Sequence, residues 1–209
     1  MKKFFILFIF AVTLFAGCNK VKEVKIEKFD STDIGAIPFG WMMGSTGQKS
    51  LGIWEVVDGK MVHMRYPRGS RGEQYNLLYT KDLYFLNGTV EAKIKPDVGR
   101  EDKVGGVVWR LRDRKNYYMA NIDFLSKKLN ILKVVKSKIE KIYEKDIDIK
   151  NGWNRLRVKF CDKLIEVYIN DKLVAKIEDN SINTPGGAGI VTKGNSKTFF
   201  DDIKIEVFK

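Results

Sequence analysis

Hydrophobic and polar residues alternate along most of this chain with a period of two. From Thr89 to Lys95, Val90, Ala92 and Ile94 fall on one face, and Thr89, Glu91, Lys93 and Lys95 fall on the other. That is the pattern of a strand with one wet side. It recurs at Trp153–Phe160, where Leu156, Val158 and Phe160 alternate with Arg155, Arg157 and Lys159, and again at Leu164–Ile169. No stretch sustains a helical period. Turn residues punctuate the strands: Asp58-Gly59 predicts a two-residue hairpin between Ile53–Val57 and Lys60–Tyr66, and Asn87-Gly88, Asn151-Gly152 and Asn170-Asp171 read the same way, because these residues take positive φ at low cost. Turns about every 8–12 residues imply around a dozen short strands, and hence an all-β, two-sheet antiparallel sandwich.

The first residues break this pattern. Lys2 and Lys3 precede the apolar run Phe4–Phe15, interrupted only by Thr13, and Ala16 and Gly17 follow before Cys18. The run is shorter than the roughly 20 residues a spanning helix needs, and its flanks are those of a signal peptide. Leu14-Phe15-Ala16-Gly17-Cys18 resembles the lipobox of bacterial lipoproteins, with Phe15 where the pattern prefers leucine. The resemblance implies cleavage before Cys18 and lipidation of its thiol. The expected organisation is a lipoprotein signal peptide over 1–17, a lipidated tether over 18–27 and a β-sandwich over 28–209. The acyl chains on Cys18 would hold the protein on a membrane of the bacterial cell envelope, outside the cytoplasm. Cys161, the only other cysteine, is expected as an incidental thiol with no internal disulfide.

Composition narrows the chemistry. The 209 residues suit one domain, and 44% hydrophobic residues supply a core. Two cysteines and one histidine exclude a Cys-rich zinc module and any site needing two histidines. The formal charge of +12 is spread over alternating strands, not gathered in a block. Together with an extracytoplasmic address, this points away from nucleic acid. His63 shares a strand face with Met61 and Arg65, without a nucleophile motif beside it, and reads as a surface histidine.

Several strings are more specific. Gly35-Ala-Ile-Pro38-Phe-Gly40-Trp41 followed by Trp54-Glu-Val-Val-Asp58-Gly59 is similar to the opening of concanavalin A-like jelly-roll domains. Gly106-Val-Val-Trp109-Arg110, Asp113, Asn116-Tyr117-Tyr118 and Asn130-Ile-Leu132 resemble the 3-keto-disaccharide hydrolase-like family, close to laminin-G and glucanase sandwiches. Trp153-Asn-Arg-Leu156, Val167-Tyr-Ile169-Asn170, Gly189-Ile-Val-Thr192-Lys193 and Phe200-Asp201-Asp202-Ile203 continue in the family's order. The resemblance implies a jelly-roll sandwich with a sugar-holding cleft on one curved sheet, and a partner that is an oligo- or polysaccharide. The protein is expected to act as a monomer.

Glucanases of this superfamily cut with two carboxylates about 5 Å apart on one strand. Where that motif would stand, this chain has Asn121 and Ser126, which cannot titrate as nucleophile or acid. Family members commonly carry arginine and asparagine where this chain has Asn121 and Asp123, so a guanidinium fork is lost too. These departures point to carbohydrate binding without catalysis. The alternatives are a hydrolase of the 3-keto-disaccharide type and a protein-interaction module. The expected carbohydrate-binding residues are Arg110, which alternation places with Val108 and Arg112; Tyr118, from the family pattern; Asn121 and Asp123, from their polarity; and Lys193, at the end of the strand Ala188–Lys193. Alternation leaves open which face of the Tyr117 strand meets the cleft, because both are partly apolar. Trp54, Trp109 and Trp153 are expected in the core. No cofactor is required. Many jelly rolls hold a structural calcium between the first and last strands, and Asp30 and Asp202 are its candidate ligands here.

Overall fold

The computed structural model describes Cys18 and residues 20–46, 52–58, 61–65, 74–97 and 102–209, with 61–65 as backbone only. The expected signal peptide and the side chain of His63 lie outside the described residues. Among the described residues fifteen strands, β1 to β15 in chain order, form two antiparallel sheets. The eight-stranded sheet runs β13 (Lys172–Glu178), β12 (Leu164–Ile169), β11 (Asn154–Cys161), β6 (Gly88–Pro96), β15 (Thr198–Phe208), β4 (Met61–Arg65) and β3 (Ile53–Val57), with β1 (Val21–Glu27) also on β15. The seven-stranded sheet runs β10 (Lys138–Asp146), β9 (Lys128–Val135), β8 (Asn116–Asp123), β7 (Val104–Asp113), β14 (Gly187–Lys193), β5 (Tyr75–Thr80) and β2 (Trp41–Ser45). The expected all-β jelly-roll sandwich is the fold observed.

The alternation seen in the sequence builds the core. Val90, Ala92 and Ile94 of β6 and Leu156, Val158 and Phe160 of β11 are fully buried, and they meet Val107, Trp109, Tyr118 and Ala120 of the opposite sheet. Trp109 stacks on Tyr118 with ring centroids 5.5 Å apart and on Phe160 at 5.8 Å. Each such pair adds about 0.5–1.5 kcal/mol beyond area burial, which makes this trio an anchor between the sheets. A second apolar cluster, Leu77, Val108, Tyr117, Met119, Leu132, Val134 and Val191, covers part of the other face of the seven-stranded sheet.

Four expectations need correction. Residues 21–27 of the expected tether pair with β15 from Val21↔Phe208 to Glu27↔Ile203, because Val24 and Ile26 supply a strand edge that the last strand can extend. Cys161 is not a lone thiol: it is disulfide-bonded to Cys18 across 143 residues. Asn87-Gly88 and Asn151-Gly152 are not hairpins: Asn151-Gly152 lies on the crossover from β10 to β11, which belong to different sheets, while Gly88 opens β6 and the Asn87 side chain accepts the Asp162 N–H at 2.9 Å, fastening a turn of the neighbouring hairpin. Trp153 is 42% exposed, because it precedes β11 rather than lying within it. Trp54 and Trp109 are buried as expected.

Candidate carbohydrate site

The register of the seven-stranded sheet assembles a cleft on the face turned away from the core. Val191, Gly106, Asn121, Asn130 and Glu144 lie in one row across β14, β7, β8, β9 and β10. In the next row Val104, Asp123, Lys128 and Asp146 are neighbours, and Lys193 pairs with Tyr75. Because side chains alternate, these residues point to the same side as the outer apolar cluster. Of these, Tyr75, Val104, Asn121, Asp123, Lys128, Asn130, Glu144 and Lys193, together with Ser126, Leu132, Ile139 and Lys141, line a cleft of about 300 Å³. Gly106 keeps its floor bare: a β-carbon there would sit 2.2 Å from the Ala120 carbonyl oxygen.

The cleft is polar at one end and apolar at the other, and all three of its lysines are paired with carboxylates. Asn130 donates its amide to Asn121 Oδ1 at 3.2 Å, while Asn130 Oδ1 is buried with no partner among the described residues. Glu144 is bracketed by the ammonium groups of Lys128 and Lys141, whose hydrogen bonds bring its carboxyl down to a pKa of about 2. Lys193 Nζ lies 3.1 Å from Asp102. Asp123 Oδ1 accepts the backbone N–H groups of Leu125 at 2.9 Å and Ser126 at 3.2 Å, capping the β8–β9 turn.

Of the expected site residues, Asn121, Asp123 and Lys193 come together in the cleft. Arg110 and Tyr118 do not. A bulge interrupts β7 between Trp109 and Asp113, and Arg110 takes φ +47° there. The bulge breaks the alternation and turns the side chain into the protein, where it is 1% exposed. Its guanidinium donates to the carbonyls of Leu86 at 2.9 Å, Ile182 at 2.8 Å and Asp162 at 2.5 Å. Arg110 thus ties three loops together at one end of the sandwich. Tyr118 faces the core; its hydroxyl donates to Asp179 and accepts the Ile182 N–H at 3.0 Å. Burial and the bond to Asp179 raise its pKa to about 12.

Asn130 and Glu144 are site residues that sequence reasoning did not single out. A signal was present for Asn130, since it stands opposite Asn121 across a short hairpin and cross-strand partners share a face.

Asp30 and Asp202 do not make a calcium site. Asp202 is engaged by Lys93 Nζ at 2.5 Å. Among the described residues the oxygens of Asp30, Asp201 and Asp202 do not gather within 4.8 Å of one another; the one group that does so is Cys18, Cys161 and Asp162. Hard-cation sites need six to eight oxygens with little competing positive charge, so these residues do not fit the ion.

The sequence profile of a 3-keto-alpha-glucoside-1,2-lyase-like domain matches residues 26–206. The chain belongs to that lyase-like family. No curated protein sequence matches this lyase-like chain. Among solved structures it is similar to the carbohydrate binding module CBM66 from Bacillus subtilis, with a TM-score of 0.64 and 21% identity over 79% of this chain and 94% of that one. The Bacillus licheniformis beta-glucanase superposes with a TM-score of 0.60 at 12% identity, covering 89% of this chain and 98% of the glucanase. A beta-1,3-1,4-glucanase from a mouse hindgut metagenome gives 0.62 at 14% identity, covering 88% and 98%. At these identities the likeness establishes a shared sandwich fold and leaves function to the site.

Proposed function

We propose that this member of the lyase-like family is a lipoprotein of the bacterial cell envelope that binds a saccharide in the cleft of its seven-stranded sheet without cleaving it. The observation that carries the reading is the amide pair on the cleft floor. The unpaired, buried Oδ1 of Asn130 costs about 1–3 kcal/mol unless a donor reaches it, and a sugar hydroxyl is such a donor. Asn121, 2% exposed beside the bare backbone of Gly106, fixes the place where that hydroxyl enters, and Leu132 and Ile139 offer an apolar wall to the C–H face of the ring. The pairings of Lys128 and Lys141 with Glu144, and of Lys193 with Asp102, balance much of the charge and suit a neutral sugar.

The same pairings speak against hydrolysis. A general acid needs a carboxyl whose pKa is raised toward neutrality, whereas two lysines hold Glu144 ionised down to about 2. Family membership favours a second reading, elimination across C1–C2 of a 3-keto glucoside. A ketone at C3 acidifies the C2 proton, whose loss forms the C1=C2 double bond as the C1–O bond breaks and the aglycone leaves with its oxygen, protonated by solvent; Asp123 is the cleft carboxylate without a lysine partner within 4.0 Å among the described residues, so it is the base that this reading requires.

The test is titration of the purified full chain with a panel of neutral and 3-keto disaccharides, by calorimetry for binding and mass spectrometry for products. Binding without new products, weakened at least tenfold in Asn121→Ala, is the expected result. Turnover that disappears in Asp123→Asn would replace it with the lyase reading. An absence of both binding and turnover would favour a protein partner.

A further inference from the structure

We infer that the protein carries a second saccharide site, for an acidic sugar, on the outer face of the eight-stranded sheet around Trp153, Lys95 and Phe199. Of the four tryptophans, Trp41, Trp54 and Trp109 are at most 5% exposed, while Trp153 is 42% exposed. A large apolar ring left in water forgoes the hydrophobic free energy that its burial would gain. Here the exposed ring is also part of an ordered row. Lys95 pairs in register with Phe199 on β15, and Asn154, next to Trp153, pairs with Ile94, next to Lys95. The row therefore reads Trp153, at the entry to β11, then Lys95 of β6 and Phe199 of β15. Lys95 Nζ stands 5.9 Å from the centre of each flanking ring, and Lys197 Nζ stands 5.4 Å from that of Phe199.

Charge decides the ligand class. Lys197 is matched by Asp97 at 2.9 Å, but Lys95 forms no salt bridge among the described residues, although Lys93, two positions earlier, pairs with Asp202. An exposed aromatic face beside an unmatched ammonium is complementary to a pyranose whose C–H face lies on the ring while its carboxylate meets the lysine. A uronic acid has both features. Position argues against a membrane headgroup as the occupant. Trp153 precedes the start of β11 and Cys161, beside which Cys18 lies, ends it, so roughly 26 Å of strand separates the row from Cys18. The row instead lies at the same end of the sandwich as the cleft, since residues 194–197 join Lys193 of the cleft to β15.

This inference shares the saccharide-binding reading but not its site, and the test separates them. Oligogalacturonate and a neutral galacto-oligosaccharide of equal length are titrated into the full chain and into Asn121→Ala, with tryptophan fluorescence as readout. The expected result is saturable quenching by oligogalacturonate in both proteins, at least tenfold weaker in Lys95→Gln and weakened by salt. In Trp153→Ala the fluorescence response is lost, and calorimetry shows the loss of acidic-sugar binding with neutral-sugar binding in the cleft kept. Quenching equal for the neutral sugar, or unchanged in Lys95→Gln, would overturn the assignment. Abolition of quenching by Asn121→Ala would overturn it while leaving the cleft in place. Quenching that survives in a chain whose cleft binds nothing would support this site and refute the other.

Discussion

Arg110 stands at φ +47°, a conformation that costs a residue with a β-carbon roughly 1–2 kcal/mol, and the three carbonyls it holds repay that cost. Removing the guanidinium leaves all three without a donor, at about 1 kcal/mol or more each. Arg110→Ala should therefore lower unfolding free energy by about 3 kcal/mol in denaturant titration, and Arg110→Lys by nearly as much, because one ammonium cannot reach three divergent loops. Saccharide affinity of the folded fraction should stay within twofold. A selective loss of binding with unchanged stability would return Arg110 to the cleft. The sequence showed an arginine among alternating strand residues, and alternation placed it on the cleft face. The bulge reversed that inference, and nothing local in Trp109-Arg110-Leu111 marks it, since arginine is not a residue that seeks positive φ. Glu144 gives a second test at this scale. Its folded pKa lies near 2, against 4.5 for a free glutamate. A carboxyl depressed in this way contributes its stability above the unfolded value and loses it as pH falls through the folded one, so the lysine bracket should persist from neutrality to below pH 4. Carbon-13 NMR of the Glu144 carboxyl should titrate near 2. A midpoint at or above 4.5 would mean that the bracket is open in solution and would readmit Glu144 as a catalytic acid.

At the scale of elements, strands whose faces differ were legible and their irregularities were not. β6 and β11 bury the residues their alternation assigned inward, because charged partners leave no second choice of face. β8 has two partly apolar faces, so the sequence could not choose between Tyr117 and Tyr118; the packing of Trp109 against Tyr118 makes that choice. Hairpins follow the same division. Asn170-Asp171 joins β12 to β13 with φ of 49° and 66°, as its residue types suggest, whereas Lys136-Ser137 joins β9 to β10 at 51° and 69° with residues poorly suited to that region. The cross-strand register on either side enforces this turn, Val135 facing Lys138 and Val134 facing Ile139. Replacing the pair by Asn-Gly should relieve the backbone cost and raise stability by about 1 kcal/mol, seen as a melting temperature higher by a few degrees. No change or a decrease would show that Lys136 or Ser137 makes a compensating contact.

For the whole molecule, the Cys18 sulfur has two incompatible fates. A diacylglyceryl thioether, as the proposed lipidation requires, and a disulfide to Cys161 both use Sγ, so no copy of the chain can carry both. The disulfide closes a loop spanning most of the domain, and a cross-link of this length typically contributes about 2–4 kcal/mol by restricting the unfolded chain. Lipidation forgoes that staple and leaves β1 held to β15 by its strand register alone. It also leaves Cys161 as a thiol at 5% exposure, shielded from reagents until the protein opens. In either state β1 keeps Cys18 close to the sandwich, so the acyl chains would hold the domain near the membrane with the cleft and the Trp153 row at the far end. The two states predict opposite responses to one substitution. In chain made without lipid, Cys161→Ser should lower unfolding free energy by about 2–4 kcal/mol, and the wild type should show no free thiol when denatured. In the lipid-bearing chain the same substitution should cost little, and one thiol should react with maleimide after unfolding. An equal loss in both preparations would mean that Cys18 keeps its disulfide whatever the membrane extract contains, and the acyl anchor would then have to be abandoned.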